Sequence, residues 1–160
     1  MASAGVGIQI DSANVQRLMQ MGAKTVAAAK REILQRGSIM TQAEMRLNAP
    51  VHDGELRASI RPKWQSTDTV IIFSDKKYAP AVEFGRKPNG KLPPYQKGTP
   101  LEKWVRDKMG ADVPPFLVAR SISRKGTKGS KFAAKSYAKM KPAIMQMSNQ
   151  VVAKTIAGLK

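Results

Sequence analysis

Ala49-Pro50-Val51-His52-Asp53-Gly54-Glu55-Leu56-Arg57-Ala58-Ser59-Ile60-Arg61, answered downstream by Tyr78-Ala79-Pro80-Ala81-Val82-Glu83-Phe84-Gly85, decides how this chain is organised. Pro50 biases Ala49 away from helical dihedrals, so a helix upstream must stop there, and Asp53-Gly54 supplies turn chemistry. From Leu56 the residues alternate. Leu56, Ala58 and Ile60 share one face and Arg57, Ser59 and Arg61 the other, which predicts a strand over residues 56–62.

Upstream of this stretch, Val6–Ile10 alternates and reads as a short strand within an N-terminal arm over residues 1–11, and Asp11-Ser12 offers an N-cap. Apolar or small residues then keep helical phase from Val15 to Leu47. One helix from Ser12 to Asn48 would run about 55 Å if unbroken, with Gly37-Ser38 the expected kink or break. The Met and Ala stripe along it reads as core or subunit contact.

Downstream, Thr69–Phe73 is a second β-rich run that residues 63–68 join to the first as an antiparallel hairpin. Tyr78–Phe84 returns toward the sheet, and Pro80 restricts it to an edge or a short helical turn. Residues 85–99 hold Pro88, Gly90, Pro93, Pro94 and Gly98, a composition that predicts an extended loop. Thr99-Pro100 opens a helix carrying Leu101, Trp104, Val105 and Met109, closed by Gly110, and Pro114-Pro115 opens another. Residues 126–160 form a basic helical segment, with Lys128, Lys131, Lys135 and Lys139 along one side and a fresh helix starting at Pro142. Ile144, Met147, Val151 and Thr155 give that helix a stripe suited to packing on another helix. The fold class is α+β in a single domain over residues 1–160: a long N-terminal helix on a small antiparallel sheet, with additional C-terminal helices.

Charge is the second guide. The chain has 28 Lys plus Arg against 11 Asp plus Glu, a net charge of +17. Asp112 is the last acidic residue, so residues 113–160 carry ten basic side chains and no acid. Nucleic acid, an acidic protein surface, an anionic lipid face, or solvent alone are the readings open for such a segment. The absence of cysteine excludes disulfides and thiolate metal sites. The N-terminal residues lack signal-peptide regions, and no apolar run approaches the roughly 18 residues of a membrane span, so a soluble protein with no membrane partner is expected.

Chemistry is sparse. His52 is the only histidine, so no imidazole cluster forms within one chain. Beside Asp53 in a turn, it reads as a turn residue rather than half of a catalytic dyad. The carboxylate pairs Asp53/Glu55 and Glu102/Asp107 occupy positions read as exposed, and residues 85–91 lack the Gly-Lys-Ser/Thr ending of a phosphate loop. No cofactor, metal or catalytic group is expected. Arg57 and Glu83 read either as an ion contact linking strand to turn, as a contact between subunits, or as two independent surface charges.

The spelling of both quoted stretches resembles a family. Ala49-Pro50-Val51, then Gly54, Leu56-Arg57 and Ser59-Ile60, is similar to a segment of the head-tail joining, tail completion and minor tail proteins of tailed bacteriophages, which usually carry Asp-Thr where this chain has His52-Asp53. Tyr78-Ala79-Pro80 with Glu83-Phe84-Gly85 resembles a second segment of the same proteins. Weaker likeness extends over about residues 10 to 135. The resemblance implies a virion protein of the neck or upper tail, made in the host cytoplasm, forming a ring of six copies and contacting neighbouring neck and tail proteins and the genomic DNA in the channel. It also implies a structural role rather than an enzyme, with Arg57, Glu83 and the four lysines as interface candidates. The basic segment is expected to meet an acidic protein partner rather than DNA, since tight DNA binding would hinder genome exit. The rival reading is a non-catalytic nucleic-acid-binding protein using the Lys128, Lys131, Lys135 and Lys139 face.

Overall fold

A computed structural model describes residues 22–158. The predicted strand at Val6–Ile10 and the start of the long helix lie outside the described residues. Ten elements follow in order: α1 (Ala23–Asn48), α2 (Glu55–Ser59), β1 (Arg61–Ser66), β2 (Thr69–Phe73), α3 (Ala79–Phe84), β3 (Gly85–Arg86), α4 (Pro100–Met109), α5 (Pro115–Lys125), β4 (Thr127–Lys128) and α6 (Phe132–Ala157). The expected α+β architecture is present, and the described residues divide into two compact units, residues 22–76 with 132–158, and residues 77–131.

In the first unit α1 lies against α6 and against the β1-β2 hairpin. The helices run antiparallel: Ala29 and Ile33 cluster with Val151 and Val152, Gly37 faces Ile144, and Asn48 reaches Ser136. The stripe expected on the last helix is therefore the seam to α1. Two expectations fail along this seam. Gly37 does not break α1, which continues through it; its missing side chain leaves room for Ile144, whose Cγ2 would stand 3.4 Å from a Cβ there. Pro142 does not begin a new helix but sits inside α6. Proline removes one N–H, freeing the Ala138 carbonyl, but Ala138 and Pro142 are both exposed, so water can serve it. Ser136 and Ile144, buried on the opposite face, hold the helix on course.

The strand predicted over residues 56–62 is also corrected. Residues 55–59 form the short helix α2, and β1 begins at Arg61. Leu56 and Ile60 are four apart, a spacing that a strand face and a helix face share. Ala58 decides between them: it is exposed, whereas Ser59 is buried. Asp53 Oδ1 accepts the Glu55 amide at 3.0 Å, and Gly54, at φ 80°, leads into the turn. The hairpin itself is antiparallel, pairing Arg61 with Phe73 and Trp64 with Val70, with an irregularity between Trp64 and Ser66. Val70 and Ile72 are buried, while β1 is exposed throughout.

In the second unit α4 packs on α5, and β3 pairs with β4 in a two-residue ladder. Thr99 Oγ1 caps α4 by accepting the Glu102 amide, and Gly110 closes that helix, both as expected. Residues 87–99 carry no helix or strand, and Gly85–Arg86 of the expected loop is the strand β3.

Candidate functional site

The first quoted stretch is a corner built around one carbonyl. Ile60 is fully buried, and its backbone oxygen accepts from Gln42 Nε2 at 2.9 Å and from Arg46 Nε and Nη2 at 3.2 and 2.9 Å. Arg57 holds the other side of the corner. Its Nε donates to Ala49 O at 3.0 Å and its Nη2 to Leu47 O at 3.1 Å, carbonyls at the C-terminus of α1 that have no donor within the helix. A cation there also faces the negative end of the helix dipole. Ser59 Oγ donates to Leu56 O at 2.7 Å and shares a hydrogen bond with Ser74. Pro50, just past the end of α1, is exposed, and Leu56 is buried. The motif thus clamps helix, turn and hairpin together. Beside it lies an open depression lined by Ala43, Arg46, Leu47, Gly54, Arg57 and Ala58.

The second stretch is a backbone docking edge within the other unit. Tyr78 and Pro80 start α3, whose Ala79 and Glu83 are buried. Val82 O accepts from Ser130 N at 2.8 Å and from its hydroxyl at 3.0 Å, and Glu83 O accepts from Lys131 N at 3.0 Å. Gly85 has φ 78° and ψ −169°, and a Cβ there would overlap Thr127 O. Phe84 is 66% exposed. Arg57 and Glu83 therefore belong to different units, Arg57 spent on carbonyls and Glu83 buried, rather than being two surface charges.

Lys128, Lys131, Lys135 and Lys139 do not form one helical side. Lys128 is in β4 and Lys131, at φ 55°, precedes the helix, so only Lys135 and Lys139 lie on α6. Lys139 Nζ donates to Glu44 Oε1 at 2.8 Å. That bond, with a second from Asn48, holds the Glu44 carboxyl below the ordinary 4.5, against the opposing effect of burial. The Lys30 ammonium likewise lowers Asp68.

Sequence reasoning missed Gln42, Arg46 and Glu44, polar residues on a helix with no local mark of their partners. It also gave no role to Gly126 and Gly129, although a Cβ on Gly126 would overlap Arg86 O and one on Gly129 would overlap Glu83 O. The glycine content was the available signal. His52 is half-buried in the turn before α2. Among the described residues no three His, Asp or Glu side chains are grouped to hold a metal, and no helix is long and apolar enough to cross a membrane.

No curated protein and no solved structure matches the chain. A family match does exist, and it spans α1, the corner, the hairpin and α3. Residues 12–85 match the family described as "Bacteriophage HK97-gp10, putative tail-component", so this region of the chain is similar to a phage tail-component family, consistent with the head-tail joining resemblance of its two motifs.

Proposed function

We propose that the chain is a structural subunit of a ring at the head-tail junction or the top of the tail, needed to join heads to tails or to complete the tail. The family match over residues 12–85 carries this reading, because both resembling motifs fall inside it. Their geometry supports a mechanical role. Polar groups around Ile60 and Arg57 are spent on backbone carbonyls, leaving a stiff corner rather than a reactive centre.

Contacts between copies and with neighbouring neck or tail proteins would use exposed apolar side chains, such as Leu47 at 69% exposure beside the corner and Phe84 in the second unit. Exposed apolar groups of this size are common at interfaces. Six copies follow the sixfold symmetry of tails that the resemblance implies. The subunit assembles in the host cytoplasm, acts in the virion, has no catalytic step and meets no membrane.

Two measurements test this reading. Light scattering on the purified protein should give, alone or on adding tail extract, a mass six times 17.5 kDa. Phage made without the chain should accumulate full heads and separate or incomplete tails under the electron microscope. Normal joined particles in its absence would overturn the proposal.

A further inference from the structure

Folding assembles a cationic site that no continuous stretch of sequence displays. Residues 77–131 carry 13 basic and 4 acidic side chains. No acid occurs in residues 84–101 or 113–131. The β3-β4 ladder pairs Gly85 with Lys128 and Arg86 with Thr127, and the turn after β3 is pinned to the end of α5. Gly90 N donates to Ser123 O at 3.1 Å, Asn89 N to Arg124 O at 3.4 Å, and Ser123 Oγ to Gly90 O at 2.5 Å. Three glycines make this approach possible, since a Cβ on Gly85, Gly126 or Gly129 would collide with the facing backbone.

Arg86 closes the loop by donating to Lys91 O at 2.7 Å. Lys87 and Lys91 on one segment, and Arg124, Lys125 and Lys128 on the other, are exposed and have no carboxylate partner among the described residues. Two rows of cations are therefore held on adjacent backbones with no carboxylate among the described residues to neutralise them. The composition of the rows selects the partner. A protein interface needs an apolar centre from which water is expelled, and lysine is depleted there. Residues 86–91 and 123–128 offer no apolar side chain except Pro88, and the exposed Phe84, Leu92, Phe116 and Leu117 of this unit lie outside both segments.

We infer that Lys87, Lys91, Arg124, Lys125 and Lys128 form a binding site for the phosphate backbone of duplex DNA, without sequence preference. A duplex presents a charge about every 1.7 Å of its axis, dense enough to meet both rows, and only Arg124 and Lys125 lie on a helix, in the last turn of α5, so the site offers no helix face for base reading in a groove. This differs from the expectation that the basic segment meets an acidic protein, and it does not depend on ring formation.

The test is fluorescence anisotropy of a labelled duplex oligonucleotide with the full chain across a salt series. Each neutralised phosphate steepens the fall of log affinity with log salt by about 0.9, so the five-residue variant Lys87→Gln, Lys91→Gln, Arg124→Gln, Lys125→Gln, Lys128→Gln should lose about 4.5 from the slope. A control with five neutral substitutions elsewhere, at Lys77, Lys97, Lys103, Lys108 and Lys141, should lose less than about 1. The partial variants Lys87→Gln/Lys91→Gln and Arg124→Gln/Lys125→Gln/Lys128→Gln should each remove their own share, which keeps the test decisive if the full set impairs folding by circular dichroism. Equal losses in cluster and control variants would overturn the site in favour of diffuse charge. Competition by poly-glutamate as effective as by unlabelled duplex would overturn it in favour of an acidic protein partner.

Discussion

Replacing Gly126 with alanine should unlock the β3-β4 interlock, and the cost can be worked from geometry. Gly126 sits at φ 72° and ψ −173°, a region that only glycine occupies readily and that costs other residues about 1–3 kcal/mol. A Cβ would also overlap Arg86 O and stand 2.9 Å from Pro88 N, both backbone atoms that cannot swing aside. Relief requires parting the ladder, with the loss of two or three hydrogen bonds at about 0.5–1.5 kcal/mol each. The sum is about 3 kcal/mol or more. Gly54→Ala is the matched control: φ is 80° with ψ −7°, and no atom lies within 4 Å of the new Cβ, so only the left-handed conformation is penalised, at about 1–2 kcal/mol. Hydrogen exchange resolves the two because each opens its own unit. In Gly126→Ala the amides of Gly90, Ser130 and Lys131 should lose about 100-fold of their protection, while the corner stays protected. Unchanged protection at those amides would refute the argument from backbone overlap.

Arg57→Ala leaves the Ala49 and Leu47 carbonyls without a charged donor and should lower stability by about 1.5–3 kcal/mol in urea unfolding; a change below about 0.5 kcal/mol would mean water replaces the guanidinium fully. Ile60→Ala empties a fully buried site and should cost about 2–5 kcal/mol, whereas Ile60→Val should cost about 0.5–1.5, and calorimetry of the pair checks the order. Gly54→Val should destabilise more than Glu55→Ala, since a β-branched side chain resists φ 80°, and equal melting temperatures would count against this. The folded Glu44 carboxyl titrates below its unfolded value of 4.5, so its stabilising effect is complete above that pH and is lost as the pH falls through the folded value. The melting-temperature gap between the parent protein and Lys139→Gln should therefore be open at pH 7 and close on acidification below about 4.5; a gap independent of pH would assign the effect to something other than this pair.

Helix ends with chemical markers were legible. Ala49-Pro50, Thr99-Pro100, Gly110 and Pro114-Pro115 each bound a helix where expected, because caps and prolines act within a few residues of themselves. The hairpin partner β2 was legible from its β-branched run. The failures share one cause. Gly37 and Pro142 are helix-weakening residues, yet both sit in continuous helices because the α1-α6 seam supplies packing that local propensity does not record. For α2, Leu56 and Ile60 satisfied both periods, and the exposure of Ala58, a tertiary outcome, separated them.

The sequence by itself determined the class of the protein, the punctuation of its elements, its excess of positive charge and, through the spelling of residues 49–61 and 78–85, its likeness to phage tail components. These are properties of single residues and their near neighbours. Only the tertiary structure decided what the residues of the motifs do. Arg57 looked like a surface or interface cation until folding brought the end of α1 within reach of its guanidinium, eight and ten residues back along the chain. The four lysines looked like one helical face until Lys128 fell in β4 and Lys131, at φ 55°, ahead of α6, and Glu44, 95 residues from Lys139, claimed the last. In the same way, the cations on residues 86–91 and 124–128 became one surface only when three glycines let two backbones meet, since contact at long sequence separation depends on the path of the chain rather than on the residues that make it.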